Sequence, residues 1–199
     1  MISNLISDYI DLAQCQQHCL RLNLHPYCLK RLLDTLQTSF TAEFRRIGIG
    51  VHFHFCPNFP TATVIHGDAA RLTQVLTHLL CNAYQAIIRQ KSLLHSATTT
   101  VLKVSPPSEH KIALEVSMKP DEHALQFQLS DTGCGIPVAE QSTVFEPFVK
   151  NSHHSGNVRD APGFGVGLAL SQHLIHLMGY SSSCCCCCGG GVLVVVKVV

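Results

Sequence analysis

The order of helical and strand patterns predicts an α+β fold, a two-layer α/β sandwich with helices on one face of a mixed, mostly antiparallel sheet. Two helical patterns are followed by an alternating strand, and a third helical pattern is followed by a series of strands. A glycine-rich turn then enters a last helix, and an apolar strand ends the chain. The 199 residues, 46% hydrophobic and 14% charged, are enough for a single core.

The first half of the chain alternates helices with extended segments. Residues 2–20 form an amphipathic pattern whose apolar face needs a partner helix, which this chain need not supply. A second helical pattern, CLKRLLDTLQTSFTAEFRRIG, follows Pro26 and ends at Gly48. The alternation in GVHFHFCP predicts a strand, and Asp68 is positioned to cap the next helix.

Residues 69–89 have the clearest helical pattern, and Asn82 lies beside its apolar stripe. The predicted buried stripe consists of Leu72, Val75, Leu76, Leu79, Leu80, Ala83 and Ile87. Three strand patterns come next: TTTVLKVS, HKIALEVSM and ALQFQLS. The last helix is predicted in GFGVGLALSQHLIHLMG.

Charge and composition exclude several classes of protein. The net charge is +1 and no run of Lys or Arg occurs, which argues against a nucleic-acid partner. We expect no signal peptide and no membrane segment, because no stretch of 18 apolar residues is present. Six of the 11 cysteines are dispersed, as is typical of reduced thiols, so a cytoplasmic location is expected.

Three polar or glycine-rich features suggest a binding site. Gly163, Gly165 and Gly167 precede a helix start, which suits an anion such as phosphate, although a packing turn also explains them. Asp131 ends a strand and can accept a hydrogen bond from an exocyclic amine such as that of adenine, or cap a turn. The amide of Asn82 can coordinate Mg2+ or be an ordinary buried amide.

Together these features resemble the ATP-binding domain of sensor histidine kinases, gyrase, the large heat-shock chaperones and MutL, known as the Bergerat or GHKL fold. DAARLTQVLTHLLCNA is similar to the N box, DTGCGIP to the G1 box, VFEPF to the F box and GFGVGLAL to the G2 box. The resemblance implies ATP and Mg2+ as cofactors, with Asn82 as the metal ligand. The implied nucleotide-binding residues are Asn82, Asp131, Gly133, Gly135, Ile136, Phe145, Phe148, Gly163, Gly165, Val166, Gly167 and Leu168.

Two features favour the histidine kinase branch of this family. The F box resembles that of sensor kinases, and the position one turn before Asn82 holds His78, where the ATP-hydrolysing branches carry a Glu that activates water. Without that carboxylate, transfer to a bound acceptor is favoured over hydrolysis. The resemblance assigns catalytic roles to Asn82 and, through contact with the metal or a phosphate, to His78; a packing role for His78 is the alternative.

The resemblance also divides the chain. Residues 1–25 are similar to the end of the second dimerisation helix and its linker, and residues 26–199 to the catalytic domain. None of the 13 His lies in a phosphoacceptor motif, so the acceptor is expected on another chain or upstream of Met1. The implied partners are a histidine-bearing dimerisation domain and a response regulator, with a homodimer as the full-length state.

Residues 138–162 are expected to form a mobile lid, with Phe145 and Phe148 as its apolar anchor. Lys150 and Arg159 in this lid either contact the phosphates or are solvated. Residues 180–199 depart from the family pattern: Cys184–Cys188 has no mechanism that we can assign, although the length suits two strands joined at Gly189–Gly191. Two alternatives stay open, a degenerate regulatory module without phosphotransfer and a gyrase- or MutL-type ATPase.

Overall fold

The computed structural model describes residues 2–57, 59, 63–97, 110–119, 124–149, 165–187 and 191–198. The helices in this part of the chain are α1 (Ile2–Gln16), α2 (Leu29–Arg45), α3 (Ala69–Ala97) and α4 (Gly167–Leu177). The strands are β1 (His25–Cys28), β2 (Ile49–Phe55), β3 (Val64–Gly67), β4 (His110–Lys119), β5 (Ala124–Asp131), β6 (Ser181–Cys187) and β7 (Gly191–Val198). The predicted strand TTTVLKVS lies outside the described residues.

The main sheet has the strand order β2-β4-β5-β7-β6. β2 and β4 are parallel, whereas the three other neighbouring pairs are antiparallel. The connection between the parallel strands includes α3, as a parallel crossover requires. The predicted mixed, mostly antiparallel sheet is therefore confirmed.

Side chains alternate between a buried and a more exposed face along the strands. In β2, Ile49, Val51 and Phe53 are buried, while His52 and His54 are exposed and stack on each other with ring centroids 6.0 Å apart. The same alternation places nonpolar side chains of β4 and β5 on one face: Ile112, Leu114, Val116, Leu125, Phe127 and Leu129. The helices pack on this face, which confirms the two-layer arrangement.

Helix α3 is central to the core. Every member of its predicted stripe is at most 3% exposed. The helix continues to Ala97, about two turns beyond the predicted end near residue 89. It packs against α4 and against the sheet, so it lies between the two segments with the glycine-rich motifs.

A second, two-stranded sheet pairs β1 with β3. It leads into Asp68, whose Oδ1 accepts a hydrogen bond from the Arg71 N–H at 3.0 Å. The other carboxylate oxygen of Asp68 accepts one from the Asn23 N–H at 2.9 Å. Asp68 therefore caps α3, as predicted, and also fixes the linker that follows α1.

Helix α1 packs against α4, and its side chains also reach α3. Leu12 and Cys15 of α1 are buried, whereas Ile6 and Ile10 are 57% and 52% exposed. Ile6 and Ile10 belong to the predicted apolar face of residues 2–20, which thus stays exposed at these two positions, whereas Tyr9 on the same face contacts the Phe148 ring. Within the described residues, no helix has both the length and the apolarity needed to cross a bilayer.

At the other end of the chain, β6 and β7 form the predicted pair of strands, with Cys187 opposite Gly191. Cys184–Cys187 belong to β6, so most of the cysteine run is part of the sheet. Cys188 lies outside the described residues. The backbone of β7 pairs with β5 as well as β6, which makes it an interior strand of the sheet.

Candidate functional site

One face of α3 brings two of the predicted motifs together. His78, Asn82 and Ala86 are spaced four residues apart, so they lie on the same side of the helix. The segment after β5 rests on Ala86: the Cys134 N–H donates to the Ala86 carbonyl at 3.4 Å. A Cβ added at Gly133 would lie 2.6 Å from both the carbonyl carbon and the Cβ of Ala86. Glycine is therefore required here for the loop to pack on the helix.

The start of α4 rests on the same face of α3, one turn before Asn82. A Cβ added at Gly167 would lie 3.5 Å from Cγ of His78. Asn82 is half-buried between this contact and the contact at Ala86. Asn82 thus lies on α3 between the position that contacts the loop after β5 and the position that contacts the first turn of α4.

Asp131 ends β5 and is 8% exposed. Its Oδ1 accepts a hydrogen bond from the Gly133 N–H at 2.7 Å, which shapes the turn. Thr132 ties the same turn to β4, since its N–H donates to the Lys111 carbonyl at 3.2 Å. Gly135 has φ +71°, a conformation that favours glycine. A carboxylate offers about four acceptor positions, so an orienting bond from Gly133 is compatible with recognition of a ligand amine.

The VFEPF segment is joined to the glycine-rich segment before α4. The Phe148 N–H donates to the Gly165 carbonyl at 2.9 Å. Gly165 has φ +72°, and a Cβ there would lie 2.8 Å from the Val149 carbonyl oxygen. Phe148 itself has φ +66°, which is unfavourable for an aromatic residue and persists only where surrounding contacts hold it.

Phe148 makes its ring contact with α1. Its ring stacks on Tyr9 with centroids 5.7 Å apart and planes at 24°, and it remains 59% exposed. Phe145 is half-buried. Whether these residues anchor a mobile lid stays a prediction, because residues 150–164 lie outside the described residues.

His78 joins three helices. Its Nε2 lies 3.1 Å from Oδ2 of Asp8 in α1, and its Nδ1 lies 3.3 Å from Oγ of Ser171 in α4. Because an ionised carboxylate only accepts hydrogen bonds, the His78 Nε2–H donates to Asp8. Burial raises the pKa of Asp8, but hydrogen bonds from His78 and Gln74 and the charge of His78 outweigh it and lower the pKa overall. His78 thus contacts α1 and α4, as expected from the alternative of a packing role. Its catalytic role stays a prediction.

Two cysteines beside these motifs carry no charge at neutral pH. Burial raises the pKa of Cys134, and the opposing charge of Arg89 only partly offsets this effect. Burial also raises the pKa of Cys81, with smaller contributions from Glu43 and Asp8. Neither thiol therefore adds a negative charge beside Asp131 or Asn82.

The structure describes some of the other predicted site residues. Ile136 and Val166 are 9% and 2% exposed, and Leu168 packs against the core, so all three support the loops from beneath. Gly163, Lys150 and Arg159 lie outside the described residues. Four residues contact the motifs although the sequence does not mark them as site residues: Asp8, Tyr9, Ala86 and Ser171. Of these, Ala86 is detectable from its position one turn after Asn82 on the same helix face.

Comparison with known proteins gives a family match and similarity to sensor proteins. Residues 67–198 match the family model described as histidine kinase-, DNA gyrase B- and HSP90-like ATPase. The virulence sensor protein BvgS of Bordetella bronchiseptica is 40% identical over 96 residues, 46% of this chain and 7% of BvgS. The sensor histidine kinase RcsC of Escherichia coli K12 is 25% identical over 178 residues, 89% of this chain. That match covers 16% of RcsC, so the chain spans a small part of these relatives.

A solved structure shows the same fold. The structure of full-length ShkA in complex with AMPPNP has a TM-score of 0.73 and 22% identity to this chain. It matches 98% of this chain and 35% of ShkA. The match to the family model covers two thirds of the chain and includes the segments that meet on α3. The chain therefore belongs to the family of histidine kinase-, DNA gyrase B- and HSP90-like ATPases.

Proposed function

We propose that this chain is the ATP-binding catalytic domain of a two-component sensor histidine kinase, which transfers the ATP γ-phosphate to a histidine on a dimerisation domain. One observation carries the proposal: Asn82 lies between the Asp131 loop, which packs at Ala86, and the start of α4, which packs at His78. The similarity to RcsC and BvgS favours the sensor kinase branch.

The residues fit Mg-ATP by their chemistry. Asp131 supplies an acceptor for the adenine amine, held in place by the Gly133 N–H. The first turn of α4 supplies N–H groups and the positive end of a helix, which suit phosphate oxygens. Asn82 supplies an amide oxygen on the face that connects these two regions, as Mg2+ prefers.

Each group has one proposed task in the reaction. Asp131 selects the base, the segment from Gly165 to Leu168 holds the phosphate end, and Asn82 holds Mg2+. When bound, Mg2+ neutralises phosphate charge and makes the γ-phosphorus more electrophilic. The acceptor histidine nitrogen attacks the γ-phosphorus in line as the bond to the bridging oxygen breaks and ADP leaves, so the domain contributes mainly by positioning.

The proposed division of the chain follows from this role. Residues 1–25, which include α1, correspond to the end of the second dimerisation helix and its linker, and residues 26–199 to the catalytic domain. A homodimer and a response regulator are the proposed partners. A cytoplasmic location is proposed with this role, because the proposed reaction consumes ATP.

Incubation with γ-labelled Mg-ATP and a histidine-bearing dimerisation domain tests the proposal. We expect acid-labile label on the acceptor, and none on an acceptor whose phosphorylated histidine is replaced by Gln. Free phosphate without labelled acceptor would instead indicate a gyrase- or MutL-type ATPase. Binding of Mg-ATP without turnover would indicate a degenerate regulatory module, and either result would overturn phosphotransfer.

A further inference from the structure

Helix α1 contacts α3 through a polar face. Asp11 pairs with Arg71, with Oδ2 and Nη1 2.6 Å apart. Gln74 donates from Nε2 to Asp8 and to Asp11, each at 3.0 Å. His78 completes the row with its 3.1 Å contact to Asp8. The three α3 residues lie on one helix face, so α1 has a defined register against the helix that carries Asn82.

The Asp8 contact reaches the start of α4 through His78. The side chains of Asp8 and His78 are 18% and 14% exposed, so solvent screens their interaction only partly. On its other side, the His78 ring contacts Ser171, which is 1% exposed, and packs beneath Gly167. Asp8 thereby fixes the orientation of the ring against which α4 begins.

The Tyr9 contact reaches the same region from the other side. Tyr9 stacks on Phe148, whose N–H donates to the Gly165 carbonyl. Phe148 holds an unfavourable backbone conformation, so it depends on contacts such as this one. Asp8 and Tyr9 are adjacent in α1, and they act on two positions, Gly167 and Gly165, that flank the start of α4.

We propose that docked α1 preorganises the phosphate end of the nucleotide site, with Asp8 and Tyr9 as positioning residues that act through His78 and Phe148. This inference rests on the proposed ATP binding. Ordering the start of α4 within the folded chain removes part of the entropy cost of binding phosphates. Asp131 is positioned separately, by Gly133 and by the packing of its loop on Ala86. The effect of α1 is therefore specific to the phosphates.

The test compares two ligands on the full chain, Mg-ATP and adenosine, by calorimetric titration and competition. In Asp8→Ala and in Tyr9→Ala, we expect the affinity for Mg-ATP to fall about 5- to 10-fold, the range of a single coupling contact. Adenosine affinity should stay within about twofold of wild type, because Asp131 keeps its own supports. Asp8→Asn keeps an oxygen for His78 Nε2–H and should restore most of the ATP affinity.

Asp34→Ala is the matched control, because it removes a carboxylate that pairs with Lys30 on the exposed side of α2 at 2.7 Å. It should change neither affinity. If Asp8→Ala and Tyr9→Ala bind Mg-ATP as wild type does, or lose affinity for both ligands equally, α1 does not preorganise the phosphate end. In either case, binding of ATP by the wild-type chain leaves the proposed function intact. A wild-type chain that binds neither ligand would overturn both proposals.

Discussion

Gly165 and Gly179 share a left-handed backbone but differ in their surroundings. Their φ angles are +72° and +76°. A Cβ at Gly165 would meet backbone atoms of Phe148 and Val149 within 3.1 Å, whereas a Cβ at Gly179 would meet nothing within 4 Å. Substitution at Gly179 therefore measures backbone strain alone, whereas substitution at Gly165 measures strain together with close packing.

We predict that Gly179→Ala lowers the free energy of unfolding by about 1–2 kcal/mol, the cost of a left-handed alanine. Gly165→Ala should cost about 3 kcal/mol or more, because overpacking is added to the same strain. Urea unfolding of both variants measures the difference. Equal losses would show that Gly165 does not pack closely against Phe148 and Val149.

The sequence indicates the motif residues more clearly than the residues that contact them in the fold. Asp131, Asn82 and the glycines stand out because a polar or glycine residue interrupts an apolar pattern. Asp8 and Tyr9 look like ordinary residues of an amphipathic helix, since their partners lie 70 and 139 residues away along the chain. Contacts of such separation are set by the tertiary fold, which one sequence does not encode locally.

At the scale of elements, Asp68 connects the linker after α1 to the start of α3. Its two carboxylate oxygens accept bonds from Arg71 N–H and Asn23 N–H, and the residue is 4% exposed. Both hydrogen bonds are made by the Asp68 carboxylate, so removing that side chain removes both.

Asp68→Ala should therefore lower the free energy of unfolding by about 1–2 kcal/mol, as loss of a helix cap does. Asp68→Asn keeps an oxygen for one of the two N–H groups and should lose less. Thermal and urea unfolding of the two variants provide the comparison. An alanine variant as stable as wild type would mean that the cap contributes nothing.

Element prediction succeeded where the hydrophobic period was long. The period in α3 identified its buried face correctly, but the end near residue 89 was wrong, because no glycine or proline stops the helix before Ala97. β1 and β3 have four residues each and include Pro26 and exposed positions, so neither carries an alternating apolar signal. Their pairing was not predicted.

For the whole molecule, the order of patterns was sufficient to predict the two layers and the mixed sheet. The strand order β2-β4-β5-β7-β6 was not predicted, because it depends on which edges meet after the helices pack. The docking of α1 on α3 and α4 was also not predicted. Much of that contact is made by polar side chains, and a polar helix face usually indicates solvent exposure.

Stability should also depend on pH through His110. Burial and the nearby charge of Lys91 lower the pKa of His110 below its ordinary value of 6.5. Below pH 6.5 the unfolded chain therefore binds a proton at His110 that the folded chain releases, and the free energy of unfolding falls. Above pH 6.5 His110 is neutral in both the folded and the unfolded chain, so it makes no pH-dependent contribution to stability.

We predict that His110→Gln loses less stability than wild type between pH 7.5 and pH 5.5. Urea unfolding at the two pH values measures this difference, and the other histidines contribute equally to both proteins. Identical pH dependence in the two proteins would contradict the lowered pKa.

Titration of Asp131→Asn with Mg-ATP tests the proposed recognition of adenine by Asp131. The amide keeps an oxygen for the Gly133 N–H but places a donor opposite the adenine amine, which costs about 3 kcal/mol. We predict about 100-fold weaker binding in this variant, while Asp34→Asn, an exposed aspartate in α2, binds like wild type. Unchanged affinity in a folded Asp131→Asn variant would mean that Asp131 does not recognise adenine.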